Sequence, residues 1–284
     1  MVLESFQKIF LLKHKVRELF FISFLHTTLA MFLGLWMFPQ FAGIIMIFFT
    51  VIPSIPFMLS TIRGEEAKDE SLAMERTLLK EHSRVLGYYM SLFCGITAAF
   101  VFWYILLPEQ SVQLLFGVQT STISRLATLV SGSVASQATA FKSILINNLR
   151  VLALCILFSF SYGIGALFIL TWNASVIGAA IGNFIRTGIS KYAGVLGFGS
   201  VAGYFNIVSV GLLRYSIHGI PEILGYFTAG LAGGIISVAV IKQRFRTKEF
   251  FHTIMDSLDL VILSVGLIVI AALLEVYVTP AVFG

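Results

Sequence analysis

Three ionisable side chains lie in or beside apolar stretches that are long enough to cross a membrane. His218 and Glu222 belong to the sequence His-Gly-Ile-Pro-Glu, directly before the apolar run 223–241, and Glu275 lies near the end of a later run. Ionisable groups are costly in lipid, and those found there relay protons, bind ions or pair with one another. This His/Glu group is therefore the first candidate for a functional site.

The same residue types could hold a metal ion or begin a helix. One histidine and two glutamates are ligand types of catalytic zinc sites, but the chain has no His-Glu-x-x-His sequence and no second histidine near His218. We therefore predict no metal and no cofactor, and keep an intramembrane metal-dependent hydrolase as a distant alternative. In the structural alternative, Pro221 and Glu222 begin a span, because proline and an acidic residue both favour the first helical turn.

The composition indicates a membrane protein. The chain has 284 residues, of which 58% are hydrophobic and 12% charged, whereas about 25% of residues in a soluble domain are charged. We predict an all-α fold in one integral membrane domain of about seven spans, each needing about 20 apolar residues. Residues 1–84 would hold an amphipathic helix, a two-span hairpin and a charged arm, and residues 85–284 the core.

Basic residues cluster beside the predicted spans, in segments 8–17, 63–84 and 242–248. This distribution is typical of cytoplasmic loops, and it predicts a multi-pass plasma-membrane protein with its N-terminus inside and its C-terminus outside. No folded domain carries a basic face, so we predict no nucleic-acid partner.

Apolar runs predict spans at 19–38, 41–58, 85–107, 151–172, 195–213, 221–241 and 258–278. An amphipathic helix near 123–145 is expected to lie on the outer face. Segment 174–185 is too short to cross, so we predict a re-entrant or broken helix there. Its marker residues are Trp172, Asn173, Gly178, Gly182 and Asn183.

This topology brings more polar groups to the membrane level of the His/Glu group. The predicted outer-face cluster comprises Asn147, Asn148, Arg150, His218, Glu222 and Glu275. Glu275 could alternatively pair with Arg150 near the membrane surface. Small-residue ridges at Gly230, Gly233 and Gly234 would let helices approach closely, within one chain or between protomers. Lipid, a second copy of the chain and unidentified proteins are therefore the expected partners.

Several stretches, taken in order, resemble the stage II sporulation protein M family, in an archaeal-type form. They are Asn147-Asn-Leu-Arg-Val, Trp172-Asn-Ala-Ser-Val-Ile-Gly, His218-Gly-Ile-Pro-Glu and Ala271-Ala-Leu-Leu-Glu. The resemblance implies a polytopic membrane protein without established enzymatic activity, acting as a scaffold that recruits partners. It marks Asn148, Asn173, His218, Glu222 and Glu275 as pattern positions without assigning them a mechanism.

The leading prediction is thus a non-catalytic scaffold or membrane-remodelling protein. The alternative is a channel or transporter for protons or a small solute, which would use the His/Glu cluster and the broken helix. A water-filled cavity that reaches the bilayer midplane from the outer polar group would favour transport, whereas a dry, close-packed bundle with an exposed apolar flank would favour the scaffold.

Overall fold

The computed structural model describes residues 16–69, 75–131, 137–159, 164–190, 198–241 and 247–283. Every regular element in these ranges is helical, which confirms the predicted all-α class. In chain order the helices are α1 (Val16–Met37), a 3-10 turn (Pro39–Phe41), α2 (Ala42–Asp69), α3 (Glu75–Leu106), α4 (Glu109–Ser131), α5 (Gln137–Ser159), α6 (Ile164–Ser190), α7 (Phe198–Ile241), α8 (Lys248–Leu273), a π turn (Leu274–Val278) and α9 (Thr279–Phe283).

Seven helices of the described ranges are long and apolar enough to cross a membrane, as predicted. They are α1, α2, α3, α5, α6, α7 and the continuous run of α8 through α9. The remaining long helix, α4, is amphipathic and buries Leu115 and Phe116. The charged arm is helical where it is described, because α2 continues to Asp69 and α3 begins at Glu75. The predicted N-terminal amphipathic helix falls almost entirely outside the described residues.

The prediction of a re-entrant or broken helix at 174–185 is wrong, because this segment lies inside the continuous helix α6. The helix runs without a break from Ile164 to Ser190, and its apolar part is long enough for a complete crossing. The predicted span 151–172 is wrong for the same reason, since it joins the end of α5 to the start of α6. The residues expected in a broken helix are all inside continuous α6: Trp172, Asn173, Gly178, Gly182 and Asn183.

Helix α7 corrects the predicted helix start at Pro221. It extends from Phe198 to Ile241, so the two predicted spans 195–213 and 221–241 are parts of one helix with Pro221 inside it. Proline has no backbone N–H, which leaves the carbonyl of Ile217 without its usual partner one turn later. Membrane helices tolerate this when neighbouring groups surround the freed carbonyl.

The predicted outer helix at 123–145 is also divided. Residues up to Ser131 belong to α4, and those from Gln137 belong to the spanning helix α5. The structure therefore assigns the two described parts of this stretch to α4 and to the spanning helix α5, and not to a helix of their own.

Small residues bring the spans close together. A Cβ atom on Gly178 would lie 2.6 Å from the Cβ of Phe100, and one on Gly182 would lie 2.6 Å from the Cβ of Tyr104. These contacts hold α6 parallel to α3. Close approach of backbones at glycine is the usual way in which membrane helices pack without a hydrophobic driving force.

An ion pair marks one end of the bundle, which we call the Glu109 end. Arg186 of α6 lies 3.2 Å from the carboxylate of Glu109. Its guanidinium also donates hydrogen bonds to the carbonyls of Tyr104 and Leu107, at 3.2 and 3.0 Å. The Tyr104 carbonyl belongs to the last turn of α3, where helical partners are missing, and Leu107 follows that turn directly, so Arg186 caps the helix.

Candidate functional site

One face of α7 carries a row of polar side chains at one-turn spacing. His218, Glu222 and Tyr226 are four residues apart in a continuous helix, so they lie one above the other. The phenol of Tyr226 donates a hydrogen bond of 2.8 Å to Glu222 Oε1. Tyr226 itself is fully buried. The row is therefore directed into the bundle.

The opposing helix presents a second carboxyl group to this row. Thr279 Oγ1 lies 3.3 Å from His218 Nδ1, which fixes α9 beside this part of α7. Glu275 lies one turn earlier and interacts electrostatically with Glu222. It belongs to the π turn Leu274–Val278, a distortion that recurs at functional sites in proteins. Two carboxyl groups thus lie near each other, one on α7 and one in the π turn.

Helix α5 contributes an amide about one turn from the carboxyl pair. Its buried face consists of Asn148, Leu152, Cys155 and Ser159. Cys155 is near enough to Tyr226 to interact with it. Asn148 lies seven residues before Cys155 on the same face, which places it near the level of Gly219, about one turn from Glu222.

Asn148 has an unused hydrogen-bond donor at this level. The side chain is 4% exposed, and its Nδ2 has no hydrogen-bond partner among the described residues. Its Oδ1 accepts a hydrogen bond of 3.4 Å from Asn147 Nδ2. A buried amide N–H without a partner costs free energy, so this donor indicates a polar group or ligand next to it.

The carboxyl pair lies deeper than the sequence predicted. Tyr89 of α3 stacks on Phe227 of α7, with ring centroids 5.6 Å apart. Glu222 precedes Phe227 by five residues, or about 7 Å along α7. Since α7 runs antiparallel to α3, Glu222 is level with about the middle of the α3 span 86–106. The predicted position at the outer membrane face is therefore wrong, because the helix does not begin at Pro221.

Neither carboxyl group has a basic partner within the described ranges. Arg150 is exposed on α5 and makes no ion pair with Glu275 there, so it does not belong to the cluster. Arg214 interacts electrostatically with His218, one turn away from Glu222. A charged carboxylate at the bilayer centre costs at least about 2.5 kcal/mol even on lenient scales. Two adjacent ones without a cation are a costly arrangement.

The other predicted site residues lie elsewhere. Asn173 donates to the carbonyl of Ile169 in its own helix, at 3.0 Å. Gly230 faces Ser159 and Ala166, whereas nothing lies within 4 Å of a Cβ placed on Gly234. No group of three or more His, Cys, Asp or Glu side chains in the described part of the chain is arranged to hold a metal ion.

Three residues near the site were missed by the sequence reasoning: Tyr215, Tyr226 and Thr279. Tyr226 stands four residues after Glu222, a spacing that places both on one helical face. Taking Pro221 as a helix start concealed the longer row that begins at His218. Thr279 had no comparable signal, since only the pairing of α7 with α9 brings it to His218.

Fold and site together define a polytopic α-helical membrane protein with a partly buried pair of carboxyl groups between its spans. A family model described as stage II sporulation protein M matches residues 90–280, and the chain belongs to this family. It is similar to an uncharacterized protein of the archaeon Methanocaldococcus jannaschii, with 32% identity over 145 residues that cover 50% of this chain and 72% of that protein. No solved structure matches the chain.

Proposed function

We propose that this multi-pass membrane protein is a proton-linked transport protein in which Glu222 and Glu275 take up and release a proton, without catalysis. The observation that supports this proposal is the pair of neighbouring carboxyl groups at mid-span, without a basic partner among the described residues. Ionisable side chains that persist at this depth commonly relay protons or bind ions. A charge change at such a site can be coupled to helix movement.

A proton suits this pair better than a metal cation. Two carboxyl groups close together in a poorly solvated site do not ionise together, so one of them retains a proton. The Tyr226 hydroxyl donates to Glu222, and one proton on the pair leaves the site with a single negative charge. Hard cations such as Ca²⁺ require six to eight oxygen ligands, more than the two carboxyl groups provide.

The scaffold alternative has less support from the contacts. It would use small-residue ridges and interfacial helices to bind partners, but two of the ridge glycines, Gly230 and Gly233, pack against α5 and α6 of the same chain. Self-association or recruitment of another protein would then need a different, lipid-facing surface. We retain the scaffold as the alternative that the experiment below distinguishes from transport.

The contacts between helices indicate which helix ends lie on the same side of the membrane. The clusters of basic residues indicate which of the two sides is cytoplasmic. We propose that the Glu109 end faces outward, with the N-terminus cytoplasmic and the C-terminus outside. A reporter enzyme fused after residue 283 that is active only outside the cytoplasm would test this orientation. Activity on the cytoplasmic side would reverse it.

The test is proton flux into liposomes that contain the purified protein and a pH-sensitive dye. We expect Glu222→Gln and Glu275→Gln each to reduce the flux about tenfold or more, because an amide cannot release a proton. Asp256→Asn is the control, since Asp256 is exposed on α8, outside both the carboxyl pair and the Glu109 end. Its flux should stay close to that of the unaltered protein.

Two outcomes would overturn the proposal. Unchanged flux in both site variants, with correct folding verified by gel filtration, would leave the scaffold as the better explanation. Flux that follows an imposed Na⁺ gradient and is indifferent to pH would replace the proton by a metal cation at the same carboxyl groups.

A further inference from the structure

A cavity of about 480 Å³ lies between α4, α6 and α7. Polar side chains from all three helices line it: Thr120, Ser124, Asn183, Thr187 and Tyr215. A buried water needs only about 15 Å³ and two to four polar partners. The cavity therefore has room and hydrogen-bonding groups for a cluster of waters.

The cavity begins at the polar end of the bundle. Asn183 and Thr187 are both exposed and flank Arg186, which binds Glu109 there. Glu109 is mostly exposed, as expected of a charged group at the level of head groups and water. Water can therefore enter the cavity from this end without crossing an apolar layer.

The opposite wall of the cavity adjoins the carboxyl site. Tyr215 lines the cavity, and its ring centroid lies 6.2 Å from that of His218. Its phenol also interacts electrostatically with Glu275. Along α7, Tyr215 precedes Glu222 by seven residues, or about 10 Å. The space between the cavity and the carboxyl pair is thus occupied by His218 and Tyr215.

We infer that this cavity is the aqueous entry vestibule for the carboxyl pair, and that Tyr215 is the positioning residue at its inner wall. The ligand is a hydronium-borne proton, which passes from the vestibule water to Glu275 or Glu222 and is released as the same proton. The part of this inference that concerns the route of the protons rests on the proposed transport function. The hydration of the cavity is a separate claim and is tested separately.

The first experiment measures hydration by cysteine labelling in intact membranes. Asn183→Cys and the deeper Ala179→Cys are made in a Cys94→Ala background, since Cys94 is an exposed native thiol. The probe is the membrane-impermeant cation MTSET. Leu157→Cys on α5 is the control, because Leu157 is 61% exposed on a spanning helix away from the cavity. We expect both cavity thiols to react and the control thiol to remain unmodified.

The second experiment tests whether protons reach the carboxyl pair through the cavity. Labelling of Asn183→Cys should reduce proton flux several-fold, because it places a fixed positive charge in the vestibule. Tyr215→Phe should also reduce flux, whereas Tyr277→Phe should not, since Tyr277 is 43% exposed and does not line the cavity. Gel filtration and thermal unfolding of each variant exclude misfolding as the cause of a loss.

The outcomes separate this inference from the proposed function. Unreactive cavity thiols would overturn the hydrated vestibule even if the unaltered protein conducts protons. Reactive thiols whose labelling leaves flux unchanged would overturn the entry route while the carboxyl site stands. Absence of any proton flux in the unaltered protein would overturn the proposed function and with it the route, although labelling would still report whether the cavity holds water.

Discussion

Replacing Gly233 by alanine should destabilise the protein through a clash between α7 and α5. A Cβ at this position would lie 2.7 Å from the Cβ of Ser159 and 2.8 Å from the carbonyl oxygen of Ile156. Carbon atoms pack best at about 3.5–4.0 Å, so the helices would have to separate by about 1 Å. Because the Ile156 oxygen belongs to the backbone, no rotamer change relieves the contact. Overpacking of this kind costs about 1–3 kcal/mol.

The neighbouring glycine provides a matched control. Nothing lies within 4 Å of a Cβ built on Gly234, so the same chemical change meets no obstacle there. Alanine favours a helix over glycine by about 1 kcal/mol. Gly234→Ala should therefore leave the stability of the protein unchanged or slightly raise it.

The measurement is thermal unfolding of both variants in the same detergent, followed by tryptophan fluorescence. Gly233→Ala should lower Tm by several degrees relative to Gly234→Ala. Equal values of Tm would refute the inferred packing of α7 on α5. A shift in molecular size on gel filtration without a change in Tm would show that the glycines pack between protomers.

Two further predictions concern polar contacts within the bundle. Arg186→Ala should cost about 1–2 kcal/mol of stability, because it leaves the carbonyls of Tyr104 and Leu107 without donors. Glu109→Gln should cost less than about 1 kcal/mol, since Glu109 is 65% exposed. Equal losses of stability in thermal unfolding of the two variants would contradict the capping role of Arg186. Trp103→Phe should cost about 0.5–1.5 kcal/mol, because Trp103 Nε1 donates a hydrogen bond of 3.0 Å to Thr28 Oγ1. Thr28→Val should give a similar loss, and losses that add fully in the double variant would disprove this hydrogen bond.

The class of fold and the number of spans were predictable because the bilayer sets the length of an apolar segment. Helix boundaries were less accessible between residues 151 and 241. Apolar residues follow one another there with few polar interruptions, and hydrophobicity alone does not say where one helix ends. The boundary between Ser159 and Ile164 therefore fell inside a predicted span. That shift left segment 174–185 too short, and a re-entrant helix was introduced to account for it.

The grouping of the polar residues was partly predictable, but their depth was not. The sequence grouped Asn148 with His218, Glu222 and Glu275, and the structure places these four within about a turn or two of one another, whereas Arg150 lies outside the group. Their depth depended on Pro221, which is favoured at helix starts but can also lie within a membrane helix. The local preference of proline suggested a helix start at Pro221, whereas the packing of α7 along α6 and α8 places Pro221 inside a continuous helix.

Both helices that carry the carboxyl groups depart from regular geometry at the level of the site. In α7, Pro221 frees the carbonyl of Ile217 next to His218. In the opposing helix, the π turn Leu274–Val278 contains Glu275. Each distortion weakens backbone hydrogen bonding where lipid offers no substitute, and each lies within a turn of a carboxyl group. For the proposed uptake and release of a proton, the freed carbonyl and the irregular turn would supply polar groups beside the carboxyl pair as its charge changes.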